Sequence, residues 1–109
     1  MSITQHPAIE AYFTNEAGTD IGTLKTVFTD DATVLDEGKT IVGIDAITAW
    51  RAAAKAKYQY TAEPLDSQEN GARSVIRVRL SGHFPGSPVV VTYTFSVHDG
   101  KINALEIRQ

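Results

Sequence analysis

Phe28-Thr29-Asp30-Asp31-Ala32-Thr33-Val34-Leu35-Asp36-Glu37-Gly38, followed closely by Val42-Gly43-Ile44-Asp45-Ala46-Ile47, is the stretch whose reading decides the fold. It carries the chain from the end of one amphipathic helix through a strand and a hairpin to the start of a longer helix. Ala32 to Asp36 and Thr40 to Val42 read as the two arms of that hairpin, turned at Glu37-Gly38, because glycine supplies the positive φ such a turn needs. Asp36 closes the first arm, which places a carboxylate at the end of that strand beside the turn.

Upstream, Ile9, Tyr12, Phe13 and Ala17 recur at helical spacing, and Pro7 suits a first turn, where its missing N–H costs nothing. That helix is expected to end at Gly18. Thr19 or Asp20 then caps a second helix with apolar positions Ile21, Leu24, Val27 and Phe28. Downstream, Asp45 to about Lys57 is rich in the strong helix formers Ala and Lys, with an inner stripe of Ile47, Trp50, Ala54 and Tyr58.

Beyond Tyr58 the apolar period changes to two. Ile76, Val78 and Leu80 share one strand face, with Val75, Arg77, Arg79, Ser81 and His83 on the other. A turn through Pro85-Gly86-Ser87-Pro88 leads to a strand in which Val89, Val91, Tyr93, Phe95 and Val97 alternate with Val90, Thr92, Thr94 and Ser96. Asp99-Gly100 makes the last hairpin, closed by Ile102 to Ile107. Tyr58 to Leu65 reads as an additional strand whose end Pro64 demotes to an edge or a bend. Helices first and a meander afterwards predict an α+β domain whose helices cover the apolar face of a sheet.

The 109 residues fit a single domain, 1–109. With 42% hydrophobic and 21% charged residues the composition is that of a folding chain. Net charge is −3 and the ten Lys and Arg are scattered, which argues against a nucleic-acid partner. No window approaches the roughly 20 apolar residues that cross a bilayer, and Met1-Ser2-Ile3-Thr4-Gln5-His6 lacks the pattern of a signal peptide. A cytoplasmic protein without membrane contact is the expectation. The absence of cysteine excludes disulfides, thiolate nucleophiles and thiolate metal sites.

His6, His83 and His98 lie on different elements without metal-ligand spacing, so no metal is expected. Gly86-Ser87-Pro88 is turn chemistry and not a nucleophile elbow, and the isolated glycines form no phosphate loop. A carboxylate at Asp36 surrounded by Phe28, Trp50, Tyr58 and Phe95 would lose hydration and become a better base toward a C–H beside a carbonyl. Set against this is a turn aspartate bonding its own hairpin in water. Tyr12, Trp50, Tyr58 and Tyr93 are core residues unless a cavity makes them ligand walls. The indole N–H of Trp50 needs a polar partner, which a ligand or Asp36 would supply.

The residues from Leu24 to Val34, from Val42 to Ile47 and from Phe95 to Ile102 together resemble the nuclear transport factor two-like superfamily. Within it they resemble the SnoaL-like group of polyketide cyclases and ketosteroid isomerase. The resemblance implies a cone-shaped, cystatin-like α+β fold with N-terminal helices packed on a curved, mainly antiparallel sheet. It places Asp36 where the isomerase has its proton-abstracting aspartate, Tyr12 near its oxyanion-donating tyrosine, and Trp50 on the long helix that roofs the cone, where it is expected to line the pocket. The isomerase's second acid would fall near Tyr93, where this strand offers no carboxyl. The implied function is cofactor-independent proton transfer on a small hydrophobic carbonyl compound, as an isomerase or cyclase. The alternatives are a non-catalytic ligand carrier and a dimeric interaction module. Relatives dimerise through the outer sheet face, where Arg77 and Arg79 would meet acidic residues of a second subunit or remain solvated.

Overall fold

The computed structural model describes residues 6–17 and 24–109. Within them α1 (Pro7–Ala17) and α2 (Leu24–Val27) precede the hairpin β1 (Phe28–Asp36) and β2 (Lys39–Val42), and α3 (Ile44–Tyr58) follows. The second half is strand after strand: β3 (Thr61–Asn70), β4 (Arg73–Ser81), β5 (Val89–His98) and β6 (Lys101–Arg108). Gly18, Thr19, Asp20 and Ile21, expected to end one helix and open the next, lie outside the described residues.

One six-stranded sheet runs in the order β2-β1-β6-β5-β4-β3. Every neighbouring pair is antiparallel except β1 with β6, where the early strand lies parallel to the last. Alternation decides which side is buried. Ile76 and Val78 of β4, Val91, Tyr93 and Phe95 of β5, and Ala32 and Val34 of β1 face inward, and Ile9, Tyr12, Leu24 and Ile47 from the helices pack against them. The sheet is therefore covered on one face by its helices, and the expected α+β architecture on a curved sheet is what the chain forms.

Bulges bend the sheet. The β5–β6 register shifts between Ser96 and Val97, which lets Ile102 and Leu105, three residues apart, both reach the core. On β3 the register shifts between Pro64 and Asp66. Pro64 does sit on an edge strand, as its missing donor requires, but that strand continues beyond it to Asn70.

Three expectations are corrected. Phe28 is the first residue of β1 and not part of a helix, fully buried and paired with Ile102. His83 lies past the end of β4, in the loop before β5, and so does not share a strand face with Arg77 and Arg79. Those arginines, about half exposed, are already paired within the chain. Arg77 forms a forked pair with Asp66, and Arg79 Nη1 lies 2.8 Å from Glu63 Oε1, because β3 sets each acid directly opposite its arginine.

Candidate functional site

Period two puts Asp36 on the inner face of β1, two positions beyond the buried Val34. The turn itself is made by Glu37 and Gly38, with φ of 53° and 75°, the pair of positive values a type I′ hairpin requires. Asp36 is thus the last strand residue, paired with Lys39, and its side chain is not needed to close the turn. It accepts from the Glu37 backbone N–H and also reaches α3, where the indole Nε1 of Trp50 donates to Asp36 Oδ2 at 3.0 Å. Loss of hydration raises the carboxyl above the usual carboxylate range; the Trp50 hydrogen bond restrains that rise and the neighbouring charge of Glu37 adds to it.

Asp36 borders a cavity of about 710 Å³, within the span of small-molecule sites. Its walls include Tyr58, Tyr60, Leu80, Phe84, Val91 and Ile107, and Arg108 also borders it. The Phe84 ring meets Tyr58 edge-on at 5.9 Å, so the loop after β4 closes against the end of α3. Gly82 makes that approach possible. A Cβ there would stand 2.7 Å from the Tyr58 carbonyl oxygen and 2.8 Å from Tyr60 Cα.

Behind this cavity lies a buried polar cluster. Glu16 and Arg51, each 1% exposed, bring a carboxylate from α1 and a guanidinium from α3 within 3.8 Å. Three phenols converge on Glu16 Oε2: Tyr60 donates at 2.8 Å, Tyr93 at 3.1 Å and Tyr12 at 3.5 Å. Arg51 Nη1 donates to Asn15 Oδ1 at 2.9 Å, and its guanidinium carbon sits 4.4 Å over the Tyr12 ring. Burial raises Glu16 above the carboxylate range against the opposing pull of Arg51 and the phenols, and it drives the hydroxyls of Tyr12, Tyr60 and Tyr93 well above ordinary phenols. Glu16 Oε1 and Arg51 Nε and Nη2 have no hydrogen-bond partner among the described residues.

A sequence profile of the SnoaL-like domain matches residues 9–105. The chain belongs to that family. Among solved structures it is 42% identical to a Sinorhizobium meliloti protein named for a proposed polyketide cyclase activity, over 93% of each chain with a TM-score of 0.91. A Catenulispora acidiphila protein of ketosteroid isomerase-like fold is 22% identical over 97% of this chain and 87% of its own, TM-score 0.83. An uncharacterised cystatin-fold protein of Novosphingobium aromaticivorans is 24% identical over 94% and 95%, TM-score 0.78. No curated protein matches. The last two structures speak to fold alone, and they agree with the nuclear transport factor two-like, cystatin-like architecture described above.

In this SnoaL-like chain the residues singled out from sequence fall into three places. Asp36 and Tyr58 border the cavity, and Trp50 holds Asp36. Tyr12 and Tyr93 donate their hydroxyls to Glu16 and do not line the cavity that Asp36 borders, so Asp36 and Tyr12 do not meet as one polar pair on it. Phe28 and Phe95 are fully buried, each with its ring edge-on to Tyr12 at 5.9 and 5.2 Å. A carboxyl does reach Tyr93, supplied by Glu16 on α1 and not by the strand.

Glu16, Arg51 and Tyr60 are absent from the sequence reading. The signal for the first two was present: Glu16 follows Ile9, Tyr12 and Phe13 at helical spacing, and Arg51 lies four residues after Ile47. Opposite charges on the apolar stripes of two helices point to a buried pair. Tyr60 carried no such mark.

Proposed function

We propose that this SnoaL-like protein binds a small apolar carbonyl compound and moves a proton on it, with Asp36 as the base. The observation that carries this reading is one carboxylate, desolvated and tethered, on the border of a cavity walled mainly by apolar and aromatic groups. A carboxylate with raised proton affinity is matched to removing an acidic C–H beside a carbonyl, since efficiency grows as base strength nears the working pH. The enolate oxygen then needs a donor, and Tyr58 is the phenol on the same cavity whose hydroxyl hydrogen is not already given to Glu16, as that of Tyr60 is. Tyr12 serves that site through Glu16, which it shares with Tyr60. The chemistry needs neither metal nor organic cofactor.

The test is α-proton exchange of 2-tetralone in D2O, followed by NMR. Wild type should accelerate exchange, and Asp36→Asn should lose on the order of 100-fold or more of the acceleration. Equal exchange in the two proteins removes Asp36 from the reaction. A carrier reading rests on the same cavity and gains from Tyr12 lying away from it; it expects 2-tetralone to bind wild type and Asp36→Asn alike with no exchange in either.

The same reading holds the chain as a homodimer through the outer sheet face. Val90 stays 44% exposed there beside Arg79, whose charge is already met within the chain.

A further inference from the structure

We propose that Trp50 is the positioning residue of Asp36: its indole N–H holds Oδ2 of the carboxylate at the cavity border and fixes the direction in which the remaining lone pairs face. The inference rests on the proposed use of Asp36 as a base for its consequence, but not for its geometry.

The geometry is a cross-element contact between residues 14 apart in sequence, at 3.0 Å. A carboxylate at a strand end swings about two torsions, and nothing in the hairpin except the Glu37 backbone N–H also reaches it. An indole offers one donor in one fixed direction and cannot accept, so it selects an orientation of the carboxylate instead of averaging over several. The indole is itself anchored. Arg51, the next residue, is held by Asn15, Glu16 and the Tyr12 ring, and its guanidinium carbon also lies 5.8 Å from the centre of the Trp50 ring, which settles the rotation of the helix and with it the side on which Trp50 emerges. The buried cluster and the cavity carboxylate are thereby connected through two consecutive residues of one helical turn.

Such a bond has a second effect, because hydrogen bonding to the ionised form opposes desolvation. The other charges about Asp36 and Trp50 are Glu37 and Lys39 of the hairpin, Arg108 on the adjacent strand β6 and Arg51 against the Trp50 ring, with the phenols of Tyr58 and Tyr60 on the cavity walls and Tyr12 beyond. Among the described residues, only Trp50 is a neutral donor bound directly to the carboxylate from another element.

The chain contains one tryptophan, so its indole N–H gives a single NMR signal. In wild type this signal should titrate with the same midpoint as the Asp36 carboxyl carbon. In Asp36→Asn the titration should vanish. In Trp50→Phe, which keeps an aromatic body, the Asp36 midpoint should rise by about one pH unit, the equivalent of one hydrogen bond to a charged group. The pH profile of 2-tetralone exchange should move by the same amount. An indole signal indifferent to Asp36 overturns the proposal, as does an unmoved midpoint in Trp50→Phe. Should Trp50→Phe fail to fold, the comparison of wild type with Asp36→Asn still decides. These readouts follow ionisation and not turnover. A coupled indole in a protein that exchanges no 2-tetralone would therefore refute the enzymatic reading and leave the positioning role standing.

Discussion

Glu16 and Arg51 show most directly how a single residue matters here. Neither is replaceable alone, because taking away one charge leaves the other buried without compensation. Arg51→Met and Glu16→Gln are each expected to cost about 3–5 kcal/mol in urea denaturation. The double substitution should cost clearly less than the two losses added together, since it removes both halves of one desolvated pair. Additive losses would mean that the two side chains do not interact. The three phenols ordered around Glu16 give a second check. Tyr60→Phe removes the shortest of the bonds to Oε2 without opening space, so about 1 kcal/mol is expected.

Secondary-structure elements set the cavity by where they end. β1 stops at Asp36 because Glu37 and Gly38 turn the chain, and α3 begins at Gly43 N–H donating to Ala32 O at 2.8 Å, with Gly43 at φ 91°, a value that favours glycine. The middle of β1 and the start of α3 are thus fastened together, and Trp50 emerges two turns later within reach of Asp36. On the far side, the loop after β4 is pinned when His83 N–H donates to Tyr58 O at 2.7 Å. Gly82→Ala puts a methyl into that junction, against backbone that cannot yield. The expected result is a loss of about 1–3 kcal/mol together with weaker 2-tetralone binding, since Phe84 and Pro85 of the displaced loop border the cavity. Unchanged stability would show that the loop approaches less closely than this.

At the scale of the whole molecule, Asp36 leaves a signature in the pH dependence of stability. Its carboxyl holds its proton more tightly folded than unfolded, so between the ordinary carboxylate value, about 4, and the raised folded value the folded state binds more protons. Stability therefore falls as pH climbs through that window. An amide at this position does not titrate, so the advantage of Asp36→Asn over wild type should grow from about pH 4 upward, then level off once Asp36 is ionised in both states. Glu16 acts in the same direction but is common to both proteins and cancels in the difference. Denaturation at stepped pH measures it; a difference that stays flat over this range would place Asp36 in full solvent, and one that shrinks would mean a carboxyl held below its unfolded value. For assembly, sedimentation equilibrium should return twice the chain mass of 11.8 kDa, and Val90→Lys on the outer face should return the single mass.

Much of this was legible along the chain. Glu37-Gly38 and Asp99-Gly100 marked the hairpins, Asp36 was placed at the end of its strand with an inward carboxylate and a solvated turn aspartate both open, and the stripe Ile47, Trp50 brought the indole to the inner side of its helix. These are local quantities, set by the repeat of strand or helix and by the steric freedom of glycine, and a sequence states them outright. Strand order, the parallel pairing of β1 with β6, and the meeting of Glu16 with Tyr93, 77 residues away, are not local. They follow from how two helices seat on a bulged sheet, and a one-residue change of register would carry every side chain to the opposite face. Tyr12 divides the same way: its place on the inner side of α1, one turn before Glu16, could be read from spacing, but only the tertiary structure gathered Tyr60 and Tyr93, 44 and 77 residues away, onto that same carboxylate, because the seating of a helix on a sheet is set by contacts distant in sequence.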